Sequence, residues 1–128
     1  MEETSLILCD SDILIEVLDR NNQKIIDLLL QFDVNQLCIS SISFSEIIYG
    51  AANKKHQKKL LSNLEKFILI EISSSIDSIH RNLMLNYSMS HKLKIQDALI
   101  AASALYYDIP LITLNKKDFT FIKGLQLI

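Results

Sequence analysis

Acids at four places, spread over almost the whole chain, stand where apolar runs meet helical patterns. Asp10 closes the apolar run 5–9, with Asp12 two residues on. Glu46 falls in the first turn of a helical pattern that follows the run 37–39, and Asp97 opens another helix. Asn115 and Asp118 follow the run 111–113. Carboxylates brought together raise one another's pKa, and a divalent cation relieves that repulsion. Oxygen ligands without His or Cys favour Mg2+, or alternatively Mn2+, over Zn2+. A carboxylate-held Mg2+ polarises a phosphoryl oxygen and activates water for in-line displacement, which points to hydrolysis of a phosphodiester or phosphate ester. A covalent route has no candidate, because no Ser–His or Cys–His pair stands at suitable positions. The two glycines, Gly50 and Gly124, cannot build a phosphate-cradling loop.

For these acids to meet, the elements carrying them must share one edge. Apolar runs at 5–9, 37–39, 68–72 and 111–113 read as short strands, and 125–128 as a last strand at the sheet edge. Helical periodicity covers 13–18, 21–32, 43–52, 55–67, 77–89 and 96–107, with Ser43 a candidate N-cap and Pro110 preventing further helix. Strands alternating with helices predict an α/β domain: a parallel sheet of four to five strands between two helical layers. In open parallel sheets ligands bind beyond the carboxyl ends of the strands, where Asp10, Asn115 and Asp118 stand. The 128 residues, 49% hydrophobic, predict a single domain, 1–128, with no linker, repeat or low-complexity segment.

Leu8-Cys9-Asp10-Ser11-Asp12-Ile13-Leu14-Ile15 resembles the first motif of the PIN-domain family. Ser43-Phe44-Ser45-Glu46, continuing to Gly50, resembles the second; Asp97-Ala98-Leu99-Ile100-Ala101-Ala102 the third; Thr113-Leu114-Asn115-Lys116-Lys117-Asp118-Phe119, then Gly124-Leu125, the closing segment. The four motifs follow family order, and the match is strongest to VapC-like toxins. The resemblance implies a metal-dependent endoribonuclease, the toxin of a VapBC-like toxin–antitoxin pair. Asp10 and Asp97 would then be the principal Mg2+ ligands, and Glu46 would assist the metal or position water. The fourth position falls to Asp118 or Asn115, and Ser11 and Thr113 would support the site. The resemblance further implies an RNA substrate, a VapB-like antitoxin lying in a groove near the site, and a homodimer. Apolar surface on the helices at 21–32 and 55–67 is where that groove is expected.

Ordinary structural roles compete at each position. Asp10 or Asp12 fits an N-cap, Ser43 and Glu46 fit a capping box, Asp97 suits a helix start, and Asn115 and Asp118 suit a turn. Their coincidence at one edge favours the site. Two other functions remain open: a catalytically inactive PIN-like partner-binding protein, and a phosphatase of the haloacid-dehalogenase type, whose D-x-D resembles Asp10-Ser11-Asp12. Net charge is −2, so no global basic signature marks a nucleic-acid binder, although Lys54, Lys55, Lys58 and Lys59, and Lys116, Lys117 and Lys123, form local groups. Cys9 and Cys38 sit in apolar runs and read as buried thiols of a reducing compartment. His56, His80 and His91 are scattered and read as surface residues. Glu2 and Glu3 replace the basic start of a signal peptide, and no apolar run reaches membrane-spanning length, so a cytoplasmic protein without membrane contact is expected.

Overall fold

The computed structural model describes residues 5–128; Glu2 and Glu3 lie outside the described residues. Four strands, β1 (Ile7–Cys9), β2 (Leu37–Ser40), β3 (Ile68–Ile70) and β4 (Leu111–Ile112), form one sheet in the order β3-β2-β1-β4. Every pairing is parallel, with Ile7 opposite Leu37, Leu8 opposite Leu111 and Cys38 opposite Ile68. Chain order runs outward from β1 to β3 and then returns to β4 on the far side of β1. The sheet therefore has its topological switch point between β1 and β4, where the crevice of an open α/β sheet lies.

Six helices cover the two faces: α1 (Ser11–Leu18), α2 (Gln23–Leu29), α3 (Ser41–Tyr49), α4 (Lys54–Leu64), α5 (Ser74–His91) and α6 (Ile95–Tyr107). Side chains alternate across a strand, and this alternation divides the core in two. Leu8, Cys38, Ile70 and Leu111 pack with Ile76 and Leu83 of α5 and the alanines of α6. Ile7, Cys9, Leu37, Ile39 and Ile112 pack with Ile13 and Leu14 of α1, Ile25 and Leu29 of α2, Ile47 of α3, and Leu60 and Leu64 of α4. The result is the expected three-layer α/β/α arrangement. Ala98, Ala101, Ala102 and Ala104 are fully buried; their small side chains let α6 lie close against the sheet.

Cys9 and Cys38 are both free and buried, on opposite faces of neighbouring strands. Burial, reinforced by the nearby Cys38 and Asp10, pushes the Cys9 thiol up to about 12, so it packs as a small hydrophobe rather than reacting.

Several boundaries depart from the sequence reading. The third helix begins at Ser41, and its N-cap is Ser40, whose hydroxyl accepts a hydrogen bond from the Ser43 backbone N–H at 3.2 Å. Ser43 is thus the capped residue, not the cap, and the Ser43–Glu46 capping box does not form. The strand expected over 68–72 stops at Ile70, and Ile68 and Leu69 are exposed because β3 is an edge strand. The strand expected over 125–128 is reduced to one bridge, Leu111 to Leu127, with Leu111 donating to Gln126 and Ile128 to Leu111 at 2.9 Å each. His80 is not a surface residue: its side chain is 15% exposed, and both ring nitrogens are buried without a hydrogen-bond partner.

Candidate active site

The carboxyl ends of β1 and β4 set the frame. Asp10 directly follows β1 and is the N-cap of α1, with its carboxylate accepting from the Ser11 N–H at 2.7 Å. It is 6% exposed, yet its second oxygen is also satisfied: the Thr113 hydroxyl, just past β4, donates to Oδ2 at 2.9 Å. Capping and site membership are therefore the same geometry. A helix N-terminus that presents N–H groups to a carboxylate holds that carboxylate at the switch point.

Asp12 is more central than its sequence position indicated. One oxygen accepts from the Ile13 N–H at 2.7 Å. The other accepts from the Leu114 N–H at 3.2 Å and the Asn115 side-chain amide at 3.0 Å, and lies 3.3 Å from the Thr113 hydroxyl, whose one proton it shares with Asp10. These bonds tie the loop after β4 to the first turn of α1. Asn115 spends its amide N–H₂ on Asp12, and its backbone N–H donates to the Thr113 hydroxyl at 3.1 Å.

Glu46 reaches the same edge from α3, where the Ser11 hydroxyl donates to its Oε1 across a long 3.5 Å. Asp97 comes from the first turn of α6, and Asp118 from the short 3-10 turn Lys116–Asp118. The acids also act on one another's protonation. Burial, then the Asp12 charge, and more weakly Asp97, push Asp10 up to about 7, against the pull of Thr113 and Ser11. Burial raises Glu46, helped by the charges of Asp97 and Asp12. Burial raises Asp97, helped by Asp118 and Asp12, while Lys94 opposes the rise. Burial also raises Asp12, against its four hydrogen bonds. Acids from four separate segments thus lie within electrostatic reach at one sheet edge. Of the two residues open for the fourth position, Asp118 is the one that couples to Asp97, and Asn115 is engaged with Asp12.

All these donors are oxygens, as hard divalent cations prefer. Among the described residues, no three His, Cys, Asp or Glu side chains are gathered tightly enough to hold one ion together.

The profile of the PIN domain matches residues 7–123. The chain belongs to the PIN-domain family. The likeness of this PIN domain extends to solved structures. A chain of a toxin–antitoxin complex from Klebsiella pneumoniae shares 31% identity at a TM-score of 0.81, covering 95% of each chain. A chain of VapBC2 from Rickettsia felis, solved with a DNA fragment from its promoter, shares 25% identity at a TM-score of 0.79, covering 96% of this chain and 97% of that one. A chain of DNA-bound VapBC from Salmonella typhimurium shares the fold at a TM-score of 0.82 with 19% identity, over 97% of each chain. No curated protein matches. The chain is therefore a VapC-like PIN domain, and the haloacid-dehalogenase reading of Asp10-Ser11-Asp12 falls.

The sequence reading underweighted two features of the site. Asp12 is the hub that fixes the loop after β4, and Lys94, which stands near Asp97, was not singled out. The Asp12 bonds span 101 to 103 residues, which an apolar-to-polar boundary at Asp12 does not reveal, whereas Lys94 stands only three residues before Asp97 and carries no motif of its own.

Proposed function

We propose that this PIN domain is a Mg2+-dependent endoribonuclease and the toxin of a VapBC-like toxin–antitoxin pair. The observation that carries this reading is the convergence of Asp10, Glu46, Asp97 and Asp118 from four segments at the sheet's switch point. Asp10 and Asp97 would hold the cation, with Glu46 and Asp118 reaching it through water. A bound Mg2+, or Mn2+ in its place, supplies charge that stabilises the scissile phosphate and lowers the pKa of water. The protein's own residues do the rest. The α1 N-terminus and the Thr113 hydroxyl fix the Asp10 carboxylate, which otherwise takes a proton near neutrality. Glu46, steered by the Ser11 hydroxyl and with its carboxyl raised by burial, orients the attacking water. Asn115 is assigned a positioning role through Asp12, and Asp118 the fourth acidic position.

The antitoxin reading draws on the structural relatives, which are complexes of toxin–antitoxin type. An open depression of about 920 Å³ between α2 and the loop after β4, lined by Ile25, Leu28, Leu114 and Ile128, is the groove assigned to it. Of the two helices on which the groove is expected, that at 21–32 lines this depression and that at 55–67 does not. No helix among the described residues is long and apolar enough to cross a membrane, and a cytoplasmic location and a homodimer belong to the same proposal.

The test is cleavage of a mixed, fluorescently labelled RNA pool by the purified protein in Mg2+, in Mn2+ and in EDTA. Metal-dependent cleavage, absent in folded Asp97→Asn, is the expected result. No cleavage in either metal by a folded wild type overturns the nuclease assignment in favour of an inactive partner-binding domain.

A further inference from the structure

We propose that the His91–Phe121 ring pair, with the lysines beside it, is a stacking subsite for one base of single-stranded RNA next to the acid cluster. The inference rests on the nuclease reading above and names where the substrate strand would lie.

Three aromatic rings meet at the end of α5. The His91 and Phe121 rings are stacked, with centroids 4.2 Å apart and planes 12° from parallel. Tyr87 braces both, edge-on to His91 at 5.7 Å and tilted against Phe121 at 5.2 Å. Polar contacts fix the group from two sides. The Ser90 hydroxyl lies 2.7 Å from Nδ1 of His91, and the Tyr87 hydroxyl accepts from the Lys123 N–H at 3.3 Å. His91 is exposed while Phe121 is half-buried. The stack is therefore anchored on the protein at Phe121 and presents the imidazole to solvent.

A His in the last turn of a helix has an ordinary explanation, since a cation there favours the macrodipole. That account does not explain what surrounds it. One small depression brings His91 and Phe121 together with Lys94, Lys117, Asp97 and Asp118. It is a pre-ordered ring, cations and two of the site acids on a single continuous surface. Lys92, Lys94 and Lys117 are exposed, and among the described residues none of them is in a salt bridge. Lys92 sits in the left-handed region at φ 54°, a conformation uncommon for a residue with a Cβ. It turns the chain sharply from α5 into α6 and so sets His91 beside Asp97.

The charge arrangement favours a polyanion that must approach acids. Clustered carboxylates repel a phosphate backbone, and free lysines flanking them offset that repulsion along a path past the ring. Single-strand binding sites combine such cations with aromatic faces on which bases stack, at about 1–3 kcal/mol per base. A paired duplex has no free base face to offer, so the feature selects unpaired RNA.

The experiment is fluorescence anisotropy with a fluorescein-labelled decaadenylate RNA and an abasic ribose-phosphate strand of equal length, with Ca2+ replacing Mg2+. The wild type is expected to bind decaadenylate about tenfold more tightly than the abasic strand. His91→Ala should erase that difference while leaving abasic binding unchanged, and His91→Tyr should keep it. Equal loss of affinity for both strands in His91→Ala, or no loss for either, overturns the subsite. Failure here is distinguishable from failure of the nuclease reading: a wild type that cleaves RNA, with a His91→Ala variant unaltered in affinity and KM, removes the subsite alone. A wild type that neither cleaves nor binds either strand removes both.

Discussion

Replacing Asp10 with Asn should stabilise the metal-free protein at alkaline pH and at the same time remove its response to metal. The Asp10 carboxyl is raised from 3.8 to about 7, chiefly by burial and then by the Asp12 charge. The folded state therefore holds a proton that the unfolded chain releases near pH 4. Stability from this group is fully present below about pH 4 and is lost as pH rises through about 7, the opposite of a salt-bridged carboxylate. With Asp10 only 6% exposed, that rise corresponds to about 4 kcal/mol. Asn keeps an acceptor for the Ser11 N–H but disturbs the bond from Thr113, at a cost of about 1 kcal/mol. A net gain of about 3 kcal/mol at pH 8 should raise Tm by roughly 10 °C in a domain of this size. Thermal unfolding by circular dichroism at pH 5 and pH 8, in EDTA and in Mg2+, reads all of this. The wild type should lose Tm between pH 5 and pH 8 in EDTA and regain it with Mg2+; Asp10→Asn should do neither. A variant less stable than wild type at pH 8 in EDTA, or stabilised equally by Mg2+, would refute the reasoning.

Three further outcomes follow from the same geometry. Glu46→Gln should lower the single-turnover rate of RNA cleavage about a hundredfold, as removal of a general base does, with an unchanged circular dichroism spectrum. Asn115→Ala removes the amide that donates to Asp12 at 3.0 Å and should weaken Mg2+ binding by calorimetry about tenfold, the usual effect of losing a residue that orients a site acid. Ser40→Ala removes the α3 N-cap and should cost about 1 kcal/mol in urea denaturation, whereas Ser43→Ala should cost less.

The periodicity of the chain made the layers readable because burial enforces it. Leu8 and Cys9 face opposite cores, and six helical patterns can cover a sheet only from both sides. The boundaries were harder where two local signals compete. Ser40 and Ser43 both precede helical residues, and Ser-x-x-Glu at 43–46 imitates a capping box. The structure resolves the competition because Glu46 is turned towards Ser11, leaving Ser40 to cap. The surroundings of Asn115 could not be read locally, because its partner Asp12 holds the loop after β4 through bonds spanning 101 to 103 residues. The edge position of β3 was likewise invisible, since Ile68-Leu69-Ile70 looks like any buried strand until the strand order exposes two of its three residues.

The most direct test of the metal-centre account is anomalous diffraction at the manganese edge from crystals grown with Mn2+. The account predicts a peak between the carboxylates of Asp10 and Asp97 that disappears in Asp97→Asn. A fully loaded crystal with no peak at that sheet edge, or with its only peak elsewhere, would contradict it.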